Sequence, residues 1–254
     1  MPIVTLTTDF GHADIYAGRF KGKLLSVQSD LNIVDVTHNI PAYNIVTGAF
    51  NLRHTYTSFP KGTIHIIRVN EQGLIKDGLL IAYYKGYYFL APNNKVLPLA
   101  LNNQFDWIRS VNFDQIQSQL ADGIYAEVLK YVLENRYEEI SYLSEYESSS
   151  EWAVNTFDSH IRGMVVIVDY YGNLITNIHM KDLTQYMDRF SEVVIQYRDK
   201  DSINGIVGNY NDVVKGDQMC RINDLGFLEI AINEGAAYKL LGIKFGQIVN
   251  VFFS

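Results

Sequence analysis

Ile3-Val4-Thr5-Leu6-Thr7-Thr8 runs straight into Asp9-Phe10-Gly11, after which apolar residues return at Tyr16, Phe20, Leu24 and Val27. Six residues rich in β-branched side chains read as a strand and Asp-Phe-Gly as a turn. The three-to-four spacing that follows reads as one face of a helix, with Asp14 as its expected N-cap. The alternation continues. Ile33 to Val36 reads as a second buried strand, Ile45 to His54 as a helix, and Thr63 to Val69 as a third strand ending in a polar turn. Strand, crossover helix and strand again predicts an α/β domain with a mostly parallel central sheet and helices on its faces. A hairpin is expected from Leu79 to Tyr84 and Tyr87 to Ala91 around Lys85-Gly86. A helix from Asp122 to Asn135 follows, carrying Ile124, Val128 and Val132 on one side.

The pattern then breaks. Ser144-Glu145-Tyr146-Glu147-Ser148-Ser149-Ser150-Glu151 holds almost no core-forming residue. Residues 144–160 are therefore expected to form an exposed linker between an N-terminal domain, 1–143, and a C-terminal domain, 161–254. Beyond it the segments are short and extended: Met164 to Asp169, Asn173 to Ile178, Glu192 to Tyr197, Asp217 to Asn223, Phe227 to Ile232 and Gln247 to Phe253. Such spacing, punctuated by Gly and Asn, predicts an all-β barrel interrupted by short helices near Lys181 to Tyr186 and Ala236 to Leu241.

Composition narrows the function classes. A chain of 254 residues suits one large or two modest domains, and 48% hydrophobic with 19% charged residues excludes a disordered, collagen-like or coiled-coil chain. Lys and Arg total 21 against 28 Asp and Glu, a net charge of -7 with no basic stripe, which argues against a nucleic-acid partner. The one cysteine, Cys220, supports neither a disulfide framework nor a thiolate metal cage. No apolar run approaches the roughly 18 residues of a membrane helix. Met1-Pro2-Ile3 opens into a strand without a charged leader, so a cytoplasmic location away from membranes is expected.

Phosphate-loop, dinucleotide, zinc-protease and nucleophile-elbow motifs are absent, and the six histidines lack paired metal spacing, so neither a metal nor a resident cofactor is expected. What remains is polar residues at the carboxyl ends of strands, the edge where open α/β sheets hold ligands. Asp9 there can accept hydrogen bonds from a ribose diol, or can simply cap the next helix. His38, closing Asp35-Val36-Thr37-His38, reads as a structural histidine. Reacting groups are expected in Arg68-Val69-Asn70-Glu71-Gln72-Gly73, although Asn70 cannot serve as a general base. In the second half, Asp169-Tyr170-Tyr171-Gly172-Asn173-Leu174 sets aromatics beside an amide. That arrangement suits a purine, and equally an ordinary hairpin turn. Asn233-Glu234-Gly235 offers a second amide.

Together these stretches resemble the family of S-adenosyl-L-methionine (SAM) hydroxide adenosyltransferases, the adenosine-forming SAM hydrolases, which are related to SAM-dependent fluorinases and chlorinases. The matching runs are Thr7 to Gly11 with Asp14 and Tyr16, Lys21-Gly22, Ile33 to His38 with Ile40-Pro41, Gly48-Ala49, Gly62 to His65, Ala91 to Asn94, Asp169 to Ile178 and Gly226 to Asn233. The resemblance implies an α/β N-terminal domain, a C-terminal β-barrel and a homotrimer with sites between the N-terminal domain of one subunit and the C-terminal domain of another. It implies that Asp9 holds the ribose hydroxyls beside Phe10, that Tyr43 takes the aromatic place next to the ligand, and that Tyr171 flanks the adenine. Asn173 then contacts the substrate and Asn233 serves the adenine side. Aromatic walls would also attract a sulfonium, by about 0.5 to 2 kcal/mol.

The family is thought to orient its attacking water with an Asp, an Arg and a His. Where relatives read D-P-G-V-G-T this chain reads Asn70-Glu71-Gln72-Gly73-Leu74-Ile75, and near the Arg position stand only Lys76 and Asp77. Where relatives read H-G-R-D-I-F-A it reads Leu120-Ala121-Asp122-Gly123-Ile124-Tyr125-Ala126. All three members are thus expected to be missing. Hydrolysis by a degenerate centre then falls to positioning, worth roughly 7 to 11 kcal/mol, with Asn70, Lys76 and Asp122 as candidates to place water. The alternatives are a SAM- or adenosine-binding protein without turnover and, below it, a SAM-dependent halogenase.

Overall fold

The computed structural model describes residues 1–149 and 153–254, which fall into two compact units, Met1–Glu151 and Trp152–Ser254. In unit 1, β1 (Ile3–Thr8) is followed by α1 (Tyr16–Val27), β2 (Asn32–Thr37), α2 (Ile45–Arg53) and β3 (Ile64–Arg68). The next elements are α3 (Leu74–Asp77), β4 (Leu79–Tyr84), β5 (Tyr87–Pro92), α4 (Val96–Ala100), β6 (Trp107–Val111), α5 (Ala121–Leu133) and β7 (Ser141–Leu143). The sheet order is β2-β1-β3-β5-β4-β6-β7. Val4, Leu6, Ile64 and Ile66 face one side of this sheet and join Phe20 and Leu24 of α1 and Ile124, Tyr125 and Val128 of α5 in the core. The period-two alternation of the strands meets the helical stripe of α1 and α5 there. Helix α2 packs on α4.

The sheet is mixed rather than mostly parallel. Pairs β1–β2, β1–β3 and β3–β5 are parallel, whereas β4–β5, β4–β6 and β6–β7 are antiparallel. The cause is the hairpin. Its second strand, β5, docks beside β3, so β4 is turned outward and everything added beyond it runs antiparallel. Lys85 and Gly86 hold φ of 50° and 92°, the left-handed pair that a two-residue hairpin turn requires. The start of α1 also departs from expectation: its N-cap is Ile15, with no side-chain cap, rather than Asp14. Helix α2 is capped, Asn44 Oδ1 accepting from Thr47 N at 3.0 Å.

Part of the Ser-rich stretch is anchored within unit 1. Tyr146 Oη donates to the Asn103 carbonyl at 2.8 Å, Asn103 exchanges two hydrogen bonds with the Ser149 backbone, and Tyr146 packs on Phe105. Ser150 and Glu151 lie outside the described residues. Unit 2 contains β8 (Asn155–Thr156), β9 (His160–Val168), β10 (Leu174–His179), α6 (Met180–Met187), β11 (Val193–Gln196) and β12 (Ser202–Asn204). It ends with β13 (Gln218–Ile222), β14 (Phe227–Ile232), α7 (Ala237–Leu240) and β15 (Ile248–Phe253). All of its strand pairs are antiparallel, in the order β12-β11-β15-β9-β10-β14-β13 with β8 against β9. Just past β12, Val207 N donates to the Cys220 carbonyl of β13 at 2.8 Å, which nearly closes the sheet into a barrel around Ile161, Leu174, Ile195, Leu228 and Val251. Among the described residues no helix is long and apolar enough to cross a membrane.

Candidate functional site

Strand order reverses at β1, from which the chain first adds β2 on one side and then crosses over to add β3 on the other, and a crevice opens at the carboxyl ends of such strands. Asp9 sits there, one residue past β1. Its Oδ2 accepts from Tyr43 N at 2.9 Å and from Asn70 N at 3.1 Å, while among the described residues Oδ1 accepts nothing. Both donors belong to residues with left-handed φ, 66° at Tyr43 and 52° at Asn70, so two strained turns converge on one carboxylate oxygen. The carboxylate is half-buried and closes a pocket of about 1020 Å³ lined by Phe10, Tyr16, Tyr43, Arg68, Glu71 and Asp122 among others.

Across from Asp9 lies a charged group that sequence reasoning did not assemble. Arg68, 2% exposed, is gripped by Glu71 through Nε–Oε2 at 2.8 Å and Nη2–Oε1 at 2.5 Å. Its Nη1 donates to Asp122 Oδ1 at 2.7 Å, and Arg19 Nε reaches Asp122 Oδ2 at 2.7 Å. The guanidinium lies 4.2 Å from the Phe20 ring centre and 4.8 Å from those of Phe10 and Tyr125. Burial pushes the Asp122 carboxyl up, but the hydrogen bonds and charge of Arg68 and then Arg19 outweigh it and hold the group below the usual carboxylate range. The available signal was Arg68 itself, a charge ending a fully buried strand with Glu71 three residues on.

The expected residues therefore divide. Asp9, Phe10, Tyr43 and Asp122 line one pocket, and Leu120, at the position the resemblance reserves for a His, lies on its rim, 78% exposed. Asn70 adjoins the pocket through its backbone N–H, and Lys76 is exposed and is not among the lining residues. His38 is a packed structural residue, 1% exposed, with Nδ1 2.8 Å from Thr8 Oγ1. In unit 2, Tyr171, Asn173 and Asn233 line a second pocket of about 540 Å³ together with Tyr210, Ile232 and Ala236. The turn that carries Asn173 is rigid. Asn173 N donates to Asp169 Oδ1 at 2.8 Å, and Gly172 packs so tightly that a Cβ would stand 2.8 Å from that of Ala236.

Comparison with known proteins agrees with this geometry. Residues 4–127 match the model of the SAM hydroxide adenosyltransferase N-terminal domain and residues 163–250 that of the C-terminal domain. The chain belongs to the SAM hydroxide adenosyltransferase family. It is 28% identical over 269 residues to an (R)-S-adenosyl-L-methionine hydrolase of Methanocaldococcus jannaschii, covering 100% of this chain and 97% of that one. A fluorinase of Actinopolyspora mzabensis is 32% identical over 63 residues, 25% of this chain and 21% of that one. An uncharacterized conserved protein of Thermotoga maritima shares the fold at a TM-score of 0.85 and 24% identity, over 98% of this chain and 99% of that one. A conserved hypothetical protein of Thermus thermophilus does so at 0.75 and 19%, over 99% and 100%. Within the SAM hydroxide adenosyltransferase frame, the Arg68 cluster stands beside the segments, Asn70 to Ile75 and Leu120 to Ala126, that depart from the motifs quoted above.

Proposed function

We propose that the protein hydrolyses SAM to adenosine and L-methionine. Water attacks the ribose 5′ carbon, the C5′–S bond breaks with its electron pair passing to sulfur, and the water proton leaves to solvent. The observation that carries this reading is Asp9: one carboxylate oxygen is anchored by two backbone N–H groups at the sheet's switch point and the other is left for ribose hydroxyls, in a chain of this family. SAM enters as substrate, with no resident cofactor. Phe10 and Tyr43 line the ribose and sulfonium end, and Tyr171, Asn173 and Asn233 serve the base. Of the groups proposed to place water, Asp122 is the one whose side chain faces the pocket, and Asn70 and Lys76 fall behind it. The exposure of Tyr43, Tyr170 and Tyr171, at 59%, 99% and 76%, supports a homotrimer in which unit 2 of another copy covers the pocket of unit 1. Nucleic acid and membrane are not partners, and the location is cytoplasmic.

A second reading has its own support. Glu71 and Asp122 in the same pocket are committed to Arg68, and in this reading Asp9 is taken by the ribose, so among the described lining residues no carboxylate is left to act as a base, and general acid-base help is typically worth about 100- to 10,000-fold. A protein that binds SAM without turning it over is the alternative. Incubating the pure protein with SAM and following products by chromatography separates the two. Equal release of adenosine and methionine is expected, and absence of turnover with calorimetric SAM binding intact makes the protein a binder.

A further inference from the structure

The unit 2 pocket contains a hydrogen-bond chain that leaves each polar atom one role. Asn173 is 6% exposed, and its Nδ2 donates twice, to Asp169 Oδ2 at 3.0 Å and to Tyr210 Oη at 3.1 Å. The Asp169 oxygen can only accept from it, so the atom facing Asp169 is the nitrogen. Tyr210 Oη in turn donates to Oε1 of Glu229, which is 4% exposed on β14. Burial first, and then the hydrogen bond to Glu229, push the Tyr210 phenol up to about 12, so it keeps its proton and donates. The Arg221 guanidinium lies 5.0 Å from the Tyr210 ring centre and Nη1 is 4.0 Å from Glu229, a counter-charge for the buried carboxylate. With both amide hydrogens used, Oδ1 is the one polar side-chain atom of Asn173 left, and among the described residues it accepts no hydrogen bond.

From this geometry we infer that Tyr210 and Glu229 are positioning residues, locking the Asn173 amide with its carbonyl oxygen toward the base so that the pocket takes a 6-amino purine and rejects a 6-oxo purine. The inference rests on the SAM reading, which is what puts a purine in this pocket. An amino group donates to Oδ1, whereas an oxo group sets two acceptors against each other, and neither can turn because the chain is fixed at both ends. Leaving a buried acceptor mispaired costs enough to change affinity by about 5- to 150-fold.

Titrating the full chain with adenosine and with inosine by calorimetry tests it. The wild type should bind adenosine more than about tenfold tighter. The isosteric double variant Asp169→Asn/Glu229→Gln supplies donors at both ends, reversing the chain and presenting the Asn173 NH2 to the base, so the adenosine-to-inosine ratio should collapse or invert. Tyr210→Phe, which removes one of the two constraints, should lower the ratio part-way. A merely structural role would weaken both nucleosides alike. Equal wild-type affinities overturn the inference even if no variant folds. Wild-type discrimination that survives in folded variants overturns the relay and leaves the SAM reading standing. Binding of neither SAM nor any nucleoside to the wild type removes both.

Discussion

Asp9 is the residue on which unit 1 converges, because its Oδ2 alone satisfies the backbone N–H groups of two left-handed residues, Tyr43 and Asn70, from different loops. Asp9→Ala removes the proposed ribose acceptor and releases both turns, so adenosine affinity measured by calorimetry should fall more than about tenfold, the loss of hydrogen bonds to a charged acceptor. Asn173→Ala should do the same from unit 2, and unchanged affinity in both variants would remove these assignments. Arg68 poses a different question. It serves two carboxylates at once, and Arg68→Met strands Glu71 and leaves Asp122 with Arg19. Truncating one partner of a buried pair costs roughly 3 to 5 kcal/mol, and the partial exposure of the carboxylates, 21% and 14%, reduces this to about 2 to 4 kcal/mol. Urea unfolding measures it, and a loss below about 1 kcal/mol would show that the cluster is weakly coupled to the fold. That Asp9 and Asn173 would line pockets was legible in the sequence because each stands beside a turn at a strand end. The Arg68–Asp122 pair was not, since the residues lie 54 positions apart and only the packing of α5 against α1 and the end of β3 joins them.

At the scale of elements, the turns decide more than the strands do. The loop after β3 holds Asn70 where the family resemblance implies an Asp, and the start of α5 holds Leu120 where it implies a His. Leu120 is exposed on the pocket rim, so Asn70→Asp/Leu120→His adds no buried charge there, and SAM turnover should rise in a product-formation assay. An unchanged rate would mean that the Arg68 cluster has taken over the water-placing role. The turn before β10 is equally exacting. Gly172 has φ of 88°, and a Cβ there would lie 2.8 to 2.9 Å from Ala236 and Tyr238, so Gly172→Ala should cost about 2 to 3 kcal/mol by denaturant unfolding through left-handed strain plus overpacking. A stable variant would imply that α7 shifts to make room. The helices and strands up to β3 were readable because each pairs a clear period with a polar stop. Which strand of the Lys85-Gly86 hairpin docks on β3 is a tertiary choice that leaves no local mark, and it alone turned a mostly parallel sheet into a mixed one. Strands β6 and β7, five and three residues long, carry too little pattern to be seen.

For the molecule as a whole, the buried histidines set how stability responds to acid. His65 on β3 is 1% exposed, with Nδ1 2.7 Å from Thr5 Oγ1, Nε2 without a hydrogen-bond partner, and the rings of Phe89, Tyr87 and Phe59 within 6 Å. Burial among these rings pushes its pKa down to about 3. His38 is also lowered, by burial that outweighs the opposing charge of Asp35. In the unfolded chain both take up a proton near pH 6.5. Between that pH and the folded values the unfolded state binds more protons, so each contributes stability that is complete above about pH 6.5 and is lost as pH falls, by about 1.4 kcal/mol per pH unit. Asp35 and Asp122, both held below the usual carboxylate range, act in a separate window, since their contribution persists above about pH 4 and is lost only below it. From pH 7 to pH 5 the His65 share is therefore about 2 kcal/mol, while the carboxylates are silent. His65→Gln keeps a hydrogen-bonding side chain that cannot titrate. Its absolute stability will shift through altered packing, but the quantity to compare is the slope of unfolding free energy against pH, measured in urea at half-unit steps. The slope should be shallower than that of the wild type between pH 6.5 and 5 and parallel to it above pH 7, and identical slopes would place the acid sensitivity elsewhere in the fold.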